Sequence, residues 1–580
     1  MAKGYLLFVL HAHLPYVRHP EYDRFLEERW FFEAVTETYI PLIKFFDRLH
    51  ADRVPFKLTL SVSPTLANMM EDPLLQERCL RHIALSSRLA EREIERTRHW
   101  PDLNFLAQMY RRLFEEARQT FTQRCGMSLL NAFKEHARAG HLELITCGAT
   151  HGFLPALSTE PAAVRAQVFS AVREHERIFG QKPQGFWLPE CGYYAGLEKV
   201  LAQAGLRYFL MDTHGLEHAE PRPAFGVHAP IYCPNGVAAF GRCPATSRLV
   251  WSSKVGYPAD PNYREYYHDI GFELEQGYLA EFQYAEGVRS HTGIKYHSIT
   301  GPSDNKRLYN PDAGRQMAER HAHDFVGRCR DQLARMGGRM PFPGVIVSPY
   351  DAELFGHWWF EGPQWLHYVL RAVAQSSGLR RDPEDRATVA ESGGDMALST
   401  PGEYLSAFPV QQQAAPAPSS WGRNGYGEQW LNTKTEWLWR PLHEAAARMA
   451  LHCSPRSTQR AQRTEKDLVH QKSESSVHSV SSVSSVPSVV KGSLEERALR
   501  QAGRELLLAQ SSDWPFMITN GTTEQYAKRR FNDHVSRFHY LLNSVDKHEV
   551  NAEKLAALEH MDAVFPELDT ACFAAQGESA

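Results

Sequence analysis

The chain has 580 residues, 43% of them hydrophobic and 23% charged, the proportions of an ordinary globular protein. With 64 Lys and Arg against 68 Asp and Glu, it carries no global field that would recruit nucleic acid or an anionic membrane. No stretch approaches the roughly 18 uninterrupted apolar residues of a membrane span. These counts exclude a wholly disordered chain, a collagen-like fibre and a polytopic membrane protein, and the length predicts roughly three or four domains. The 12 Trp and 28 His stand out, but composition does not say whether they fill a core or line a cleft.

The nine cysteines form no CxxC pair and no zinc-finger spacing, which argues for a reducing, cytoplasmic setting. The first apolar run, residues 6–10, is broken at once by His11 and His13 and is too short for a signal sequence. Five more short apolar runs follow, each leading into polar residues. Residues 56–60 lead to Ser61 and Ser63, 142–146 to His151, and 185–188 to Glu190. Residues 208–211 lead to Asp212 and His214, and 345–347 to Asp351. Helical periodicity fills most of the gaps, as over residues 162–179 and 197–204. Strands alternating with helices predict a parallel sheet covered on both faces. Polar strand ends spread over much of the chain favour a (β/α) barrel over an open doubly wound sheet.

Residues 73–138, rich in Arg, Glu and Leu at helical spacing, read as a helical excursion from a barrel domain spanning 1–405. Residues 406–580 read as a helical C-terminal domain, with a helix over 433–452. Helical pattern resumes at Leu494, breaks at Trp514-Pro515 and continues toward His560. Within that domain, residues 454–493 lose periodicity. Ten of residues 473–493 are Ser and most others Val, with no aromatic, which predicts a disordered insertion.

His11 and His13 lie two apart on a strand and so face the same way, as a metal half-site or as the polar lining of a pocket. His151 and Asp212 are the evident candidates for further ligands. Glu190 and Asp351 each end an apolar strand among aromatic residues, where a carboxylate is costly unless used or paired. Two such carboxyl groups at one barrel mouth fit glycosidic cleavage, one attacking the sugar and the other shuttling the proton. A structural ion pair with Arg is the competing reading for each, and Glu353 and Glu361 compete with Asp351. Trp358, Trp421 and Trp430 sit in glycine-rich segments, which suggests ligand surface, whereas Trp437 and Trp439 lie in a helical pattern and read as core. A metal-dependent deacetylase or mannosidase using His11, His13 and Asp212 and a non-catalytic glucan-binding protein remain alternatives on these residues.

Taken together, His11-Ala-His-Leu-Pro15, Gly148-Ala-Thr-His-Gly-Phe-Leu-Pro155, Phe186-Trp-Leu-Pro-Glu190, Ser348-Pro-Tyr-Asp-Ala-Glu-Leu-Phe-Gly-His-Trp-Trp359 and Ser420-Trp-Gly-Arg-Asn-Gly-Tyr426 with Asp513-Trp-Pro-Phe516 resemble glycoside hydrolase family 57. The likeness is to its α-glucan branching members. It covers nearly the whole chain except residues 454–493. It implies a distorted seven-stranded (β/α) barrel, an all-helical C-terminal domain over the cleft, no metal or other cofactor, and an α-glucan as the partner. The implied activity cleaves an α-1,4 chain through a covalent glucosyl-enzyme and transfers it to a 6-hydroxyl, as in glycogen synthesis. An amylase or a 4-α-glucanotransferase of the same family is the nearer alternative. The implied nucleophile is Glu190 and the implied acid/base Asp351. His11, His13 and His151 are expected to line the donor subsite and Trp421 and Trp430 to guide the chain. Asp212, Arg264, Trp358 and Asp513 are expected to contact substrate, and Tyr232 to be the tyrosine of a mobile loop. Ala156 departs from the leucine commoner after Pro155, and the Ser-rich segment is foreign to compact relatives. The oligomeric state is left open.

Overall fold

The computed structural model describes residues 2–252, 255–285, 287–301, 303, 305–376, 395–454 and 492–575. Nearly all of the Ser-rich segment therefore lies outside the described residues. The chain divides into two compact units, residues 1–147 with 175–421 and residues 148–174 with 422–580.

The first unit is built on short parallel strands. One sheet runs β3-β2-β1-β8: β1 is Gly4–Ala12, β2 Leu58–Val62, β3 Leu142–Ile145 and β8 Gly344–Asp351. The short β9, Ala397–Leu398, also pairs with β1. The second sheet runs β10-β6-β7-β5-β4: β4 is Gly185–Trp187, β5 Tyr208–Met211, β6 Ile231–Tyr232, β7 Ala238–Gly241 and β10 Gln412–Gln413. Every pairing is parallel except β6 with β7. A single bridge, Thr146 to Phe186, joins the two sheets on one side. On the other, one hydrogen bond runs from the Cys243 amide to the Val347 carbonyl, 2.9 Å. The α/β class holds, but the strands do not close into a continuous barrel ladder. β4, β5 and β7 are only three or four residues long, too few for unbroken pairing around a ring.

The inward faces still share one core. Leu7 and Val9 of β1, Tyr208 and Leu210 of β5, Ala238 and Phe240 of β7, and Val345 and Val347 of β8 meet Trp187 and Tyr404 in a single cluster. The i, i+2 spacing is that of strands with one face turned inward. A separate cluster joins Leu89, Leu106, Tyr110 and Phe114, from helices Pro73–Arg96 and Pro101–Gln119, to Ile270, Ile294 and Tyr296.

In the second unit, the described residues after Thr435 include helices Glu436–Cys453, Leu494–Ala509, Asp513–Asn520, Glu524–Asp546 and Ala552–Met561. Ser493 starts the second of these with a capping box against Glu496. The break expected at Trp514-Pro515 falls instead at residues 510–512. Pro515 sits in the first turn of the next helix, where a missing N–H costs nothing. No helix among the described residues is long and apolar enough to cross a membrane.

Candidate active site

His11, Glu190, Asp212 and Asp351 lie at or just past the C-terminal ends of β1, β4, β5 and β8, the ends at which parallel sheets present their catalytic groups. β1 delivers His11 in register with Ser61 of β2 on one side and Asp351 of β8 on the other. Buried His11 hydrogen-bonds Ser61 through Nδ1 at 3.0 Å. Its ring stacks on Trp187 with centroids 4.5 Å apart and planes 4° apart, and on His13 at 5.7 Å. Burial, reinforced by His13, holds the His11 imidazole well below its ordinary pKa, so it is neutral at pH 7. The same-face pair expected from the sequence is therefore present.

Glu190 follows β4 in a tight turn with φ 59° and ψ 23°, and Cys191 also has positive φ. A left-handed conformation costs a non-glycine residue roughly 1–2 kcal/mol and persists only where surrounding contacts enforce it. Trp421 supplies two of them: its backbone N–H donates to the Glu190 carbonyl at 3.0 Å, and its indole Nε1 donates to the Glu190 carboxylate at 2.8 Å. Trp421 is brought there by an extended strap. Ala417 donates to Gly215, while Ser419 exchanges hydrogen bonds with Tyr193. Gly215 is required for that passage, because a Cβ there would lie 2.2 Å from the Ser419 hydroxyl.

Asp351 closes β8. Burial, then the charges of Glu353 and Glu190, push its carboxyl well above the usual carboxylate range, and Arg242 offsets this only in part. Glu353, two residues on, is raised by burial as well, against the pull of two donors. These are the Tyr39 hydroxyl and the His13 amide, the latter at 3.1 Å. Arg242, just past β7, pairs with Asp212 at 2.5 Å and lies 5.9 Å from the Trp421 ring centre. Asp212 also meets His214 at 3.2 Å. Asp212 is thus part of an ion pair that anchors Arg242. Tyr39 and Arg242 escaped the sequence reading. Tyr39 sits mid-helix, and β7, Ala238-Ala-Phe-Gly241, is too short and small-residued to signal a strand.

Several expected contacts fall elsewhere. Tyr232 pairs with Ala238, the first residue of β7, and lines a cavity of about 290 Å³ with Gly205, Arg207 and Asn235. That is the N-terminal end of the strands, opposite the carboxyl groups, so it is no lid tyrosine. Arg264 is 4% exposed, with its guanidinium 4.1 Å from the Phe360 ring centre and 3.2 Å from the Tyr110 hydroxyl. Its backbone N–H donates to Glu361. Glu361, pushed up to about 7 by burial, belongs to that internal cluster. Trp358 is 50% exposed and packs on Tyr266 with ring centroids 4.3 Å apart.

The second unit holds His151, Trp430 and Asp513. His151 is buried at φ 57°, with Nδ1 2.9 Å from the Ser512 hydroxyl. Asp513 accepts a 2.6 Å hydrogen bond from Ser511. Trp430, expected to guide the glucan, is 1% exposed and stacked on Phe153 at 4.5 Å, so it is core. Trp439 is buried as expected, but Trp437 is 39% exposed, because its helix presents that face outward. Among the described residues, the His/Cys/Asp/Glu group whose ligand atoms converge as for a metal is Glu505, His534 and Asp562, not His11, His13 and Asp212. Arg530 and Arg537 already neutralise that trio, which makes it a poor cation site.

Residues 7–326 match the family description glycosyl hydrolase family 57, and residues 469–573 match the C-terminal region of 1,4-α-glucan branching enzymes. The chain belongs to glycosyl hydrolase family 57, a family of enzymes. It is 30% identical to a 1,4-α-glucan branching enzyme of Thermococcus kodakarensis over 97% of this chain and 77% of that protein. The structure of a branching enzyme from Pyrococcus horikoshii is 28% identical, with a TM-score of 0.80 over 100% of this chain and 98% of that one. The α-amylase AmyC of Thermotoga maritima is 40% identical, with a TM-score of 0.83 over 99% of each chain.

Proposed function

We propose that the chain is a 1,4-α-glucan branching enzyme acting by double displacement, with Glu190 as nucleophile and Asp351 as acid/base. A Glu190 oxygen attacks C1 of the glucosyl unit while Asp351 protonates O4 of the departing chain. Asp351 then takes the proton from a 6-hydroxyl of an acceptor chain, whose O6 displaces Glu190. Two inversions leave an α-1,6 bond. The observation that carries the reading is the pair of environments. Asp351 is crowded by like charge and biased toward the protonated form, while Glu190 receives an N–H donor that favours its charged form. Neutral His11, stacked on Trp187, is suited to a sugar hydroxyl, and Trp358 to a pyranose face. A distorted seven-stranded arrangement of β8, β1, β2, β3, β4, β5 and β7, with helices toward the C-terminus, is the scaffold proposed for this chemistry. Branching rather than hydrolysis is supported by likeness to the archaeal branching enzymes over nearly the whole chain and by the match at residues 469–573.

The likeness to AmyC keeps a hydrolytic reading in view. Incubating the enzyme with amylose, debranching and analysing linkages separates the two. New α-1,6 branches are expected, and reducing ends without branches would overturn the branching reading.

A further inference from the structure

A second carboxylate shares the surroundings of Asp351 and has been given no role. Glu353 is fixed from two directions: the Tyr39 hydroxyl and the His13 amide both donate to Oε1. Tyr39 ends a π-helical turn, Ala34–Tyr39, between helices Glu28–Glu33 and Ile40–Ala51. One extra residue per turn re-aims the side chains beyond it, which is why such turns cluster at functional sites. The loop after β8 rests directly on this turn. Gly356 has φ 114°, and a Cβ there would lie 1.8 Å from the Glu37 carbonyl. His357 holds Glu37 at 2.8 Å from the same loop. Tyr39 and Glu353 are therefore locked against each other by backbone packing on both sides.

We propose that Glu353, clamped by Tyr39 and the His13 amide, is a positioning residue that keeps the proton shared at this strand end on Asp351. Two donors converge on Glu353 and stabilise its charged form, whereas no hydrogen bond to the Asp351 carboxyl is found among the described residues. Two carboxyls two residues apart in a desolvated site do not both ionise readily, so a single proton goes to the one without donors. The other titratable groups near this pair are Glu190, Cys191, His13 and Arg242, with His11 in register on the neighbouring strand; they alter the strength of the bias, and no hydrogen bond from them to the Asp351 carboxyl is found among the described residues. Asp351 is thereby charged with a proton ahead of glycosidic cleavage. The inference rests on Asp351 being the acid/base.

The test is the pH profile of kcat/KM on amylose for Glu353→Gln, Tyr39→Phe and Asp351→Asn. Removing the Glu353 charge lets Asp351 ionise earlier, so the alkaline limb moves down by about one pH unit, with KM held within about twofold. Tyr39→Phe lets the proton move to Glu353 and shifts the limb in the same direction by about half as much, and Glu353→Asp restores most of the wild-type profile. A limb that stays within about 0.2 units in both Glu353→Gln and Tyr39→Phe, with Asp351→Asn inactive, overturns this inference alone. Active Asp351→Asn overturns the acid/base assignment and the inference with it. Should Glu353→Gln fail to fold, Tyr39→Phe decides.

Discussion

Two clusters of ionisable groups in this molecule draw on the same residue types, and their surroundings differ. In the helical unit, Glu505, His534 and Asp562 are fully buried. His534 bonds Glu505 at 2.7 Å, Arg537 bonds Asp562 at 2.6 Å, and Arg530 lies 3.5 Å from Asp562. Each carboxylate there has a partner, although burial and the charge of Asp562 still push the Glu505 carboxyl well above its ordinary range. At the strand ends of the first unit, Asp351, Glu353 and Glu190 crowd one another, with Arg242 as a compensating cation for Asp351. Burial alone does not make a carboxylate catalytic. What distinguishes the second cluster is that Asp351, Glu353 and Glu190 are only part-buried, and that no donor to the Asp351 carboxyl is found among the described residues, which leaves work for a substrate to do.

The sharpest way to break the comparison is to neutralise each cluster in turn. Glu190→Gln and Asp351→Asn are expected to lower turnover on amylose by at least about 10³-fold, with glucan binding largely kept. Unchanged turnover in Glu190→Gln would point to a binding protein instead. Asp562→Asn removes one partner from a matched buried set and should cost roughly 3–5 kcal/mol of stability in denaturant unfolding, with activity per folded molecule unchanged. If activity fell and stability did not, the helical cluster would be functional after all.

Trp421→Phe keeps the ring but deletes the 2.8 Å donor to Glu190. A hydrogen bond to a charged group is worth about 1.5–3 kcal/mol, so kcat should drop by about 10- to 100-fold. Trp358→Ala should raise KM by only a few-fold and leave the melting temperature alone, whereas Trp430→Ala should cost about 3–5 kcal/mol by opening a cavity. The smallest effect concerns pH. The Asp351 pKa is raised in the fold, so its contribution to stability is fully present below the unfolded value and is lost as pH rises through the folded one. Asp351→Asn should therefore be slightly more heat-stable than wild type near neutral pH, with the difference vanishing toward pH 3 in thermal unfolding scans.

Much of the catalytic strand order was legible because its signals are local. An apolar run of the right length ending in His11, Asp212 or Asp351 needs no distant partner to be recognised. The sequence also exposed the same-face His11 and His13 pair, since strand periodicity dictates it. Where it misled, the answer depended on what packs against a residue. Trp358 and Trp430 sit in similar glycine-rich segments, yet one is open and the other stacks on Phe153, nearly 280 residues earlier in the chain. Tyr232 lies between plausible turn residues, and only the register with Ala238 reveals which end of the sheet it faces. Arg264 has the charge of a ligand contact but is absorbed by Tyr110 and Phe360.

By itself the sequence determined the alternating strand and helix pattern, the placing of carboxyl groups at strand ends, and the membership of the chain in its family. Each follows from periodicity or from short motifs, which are properties of neighbouring residues. Tertiary structure decided that the strands form two sheets bridged once rather than a closed ring, that Trp421 holds Glu190, and that Tyr39 reaches Glu353. The Trp421 and Tyr39 contacts join residues more than 200 positions apart, and neither hydrophobic pattern nor propensity carries information over that distance. Only the packed chain sets which donors meet which carboxylate, and with them where the proton sits.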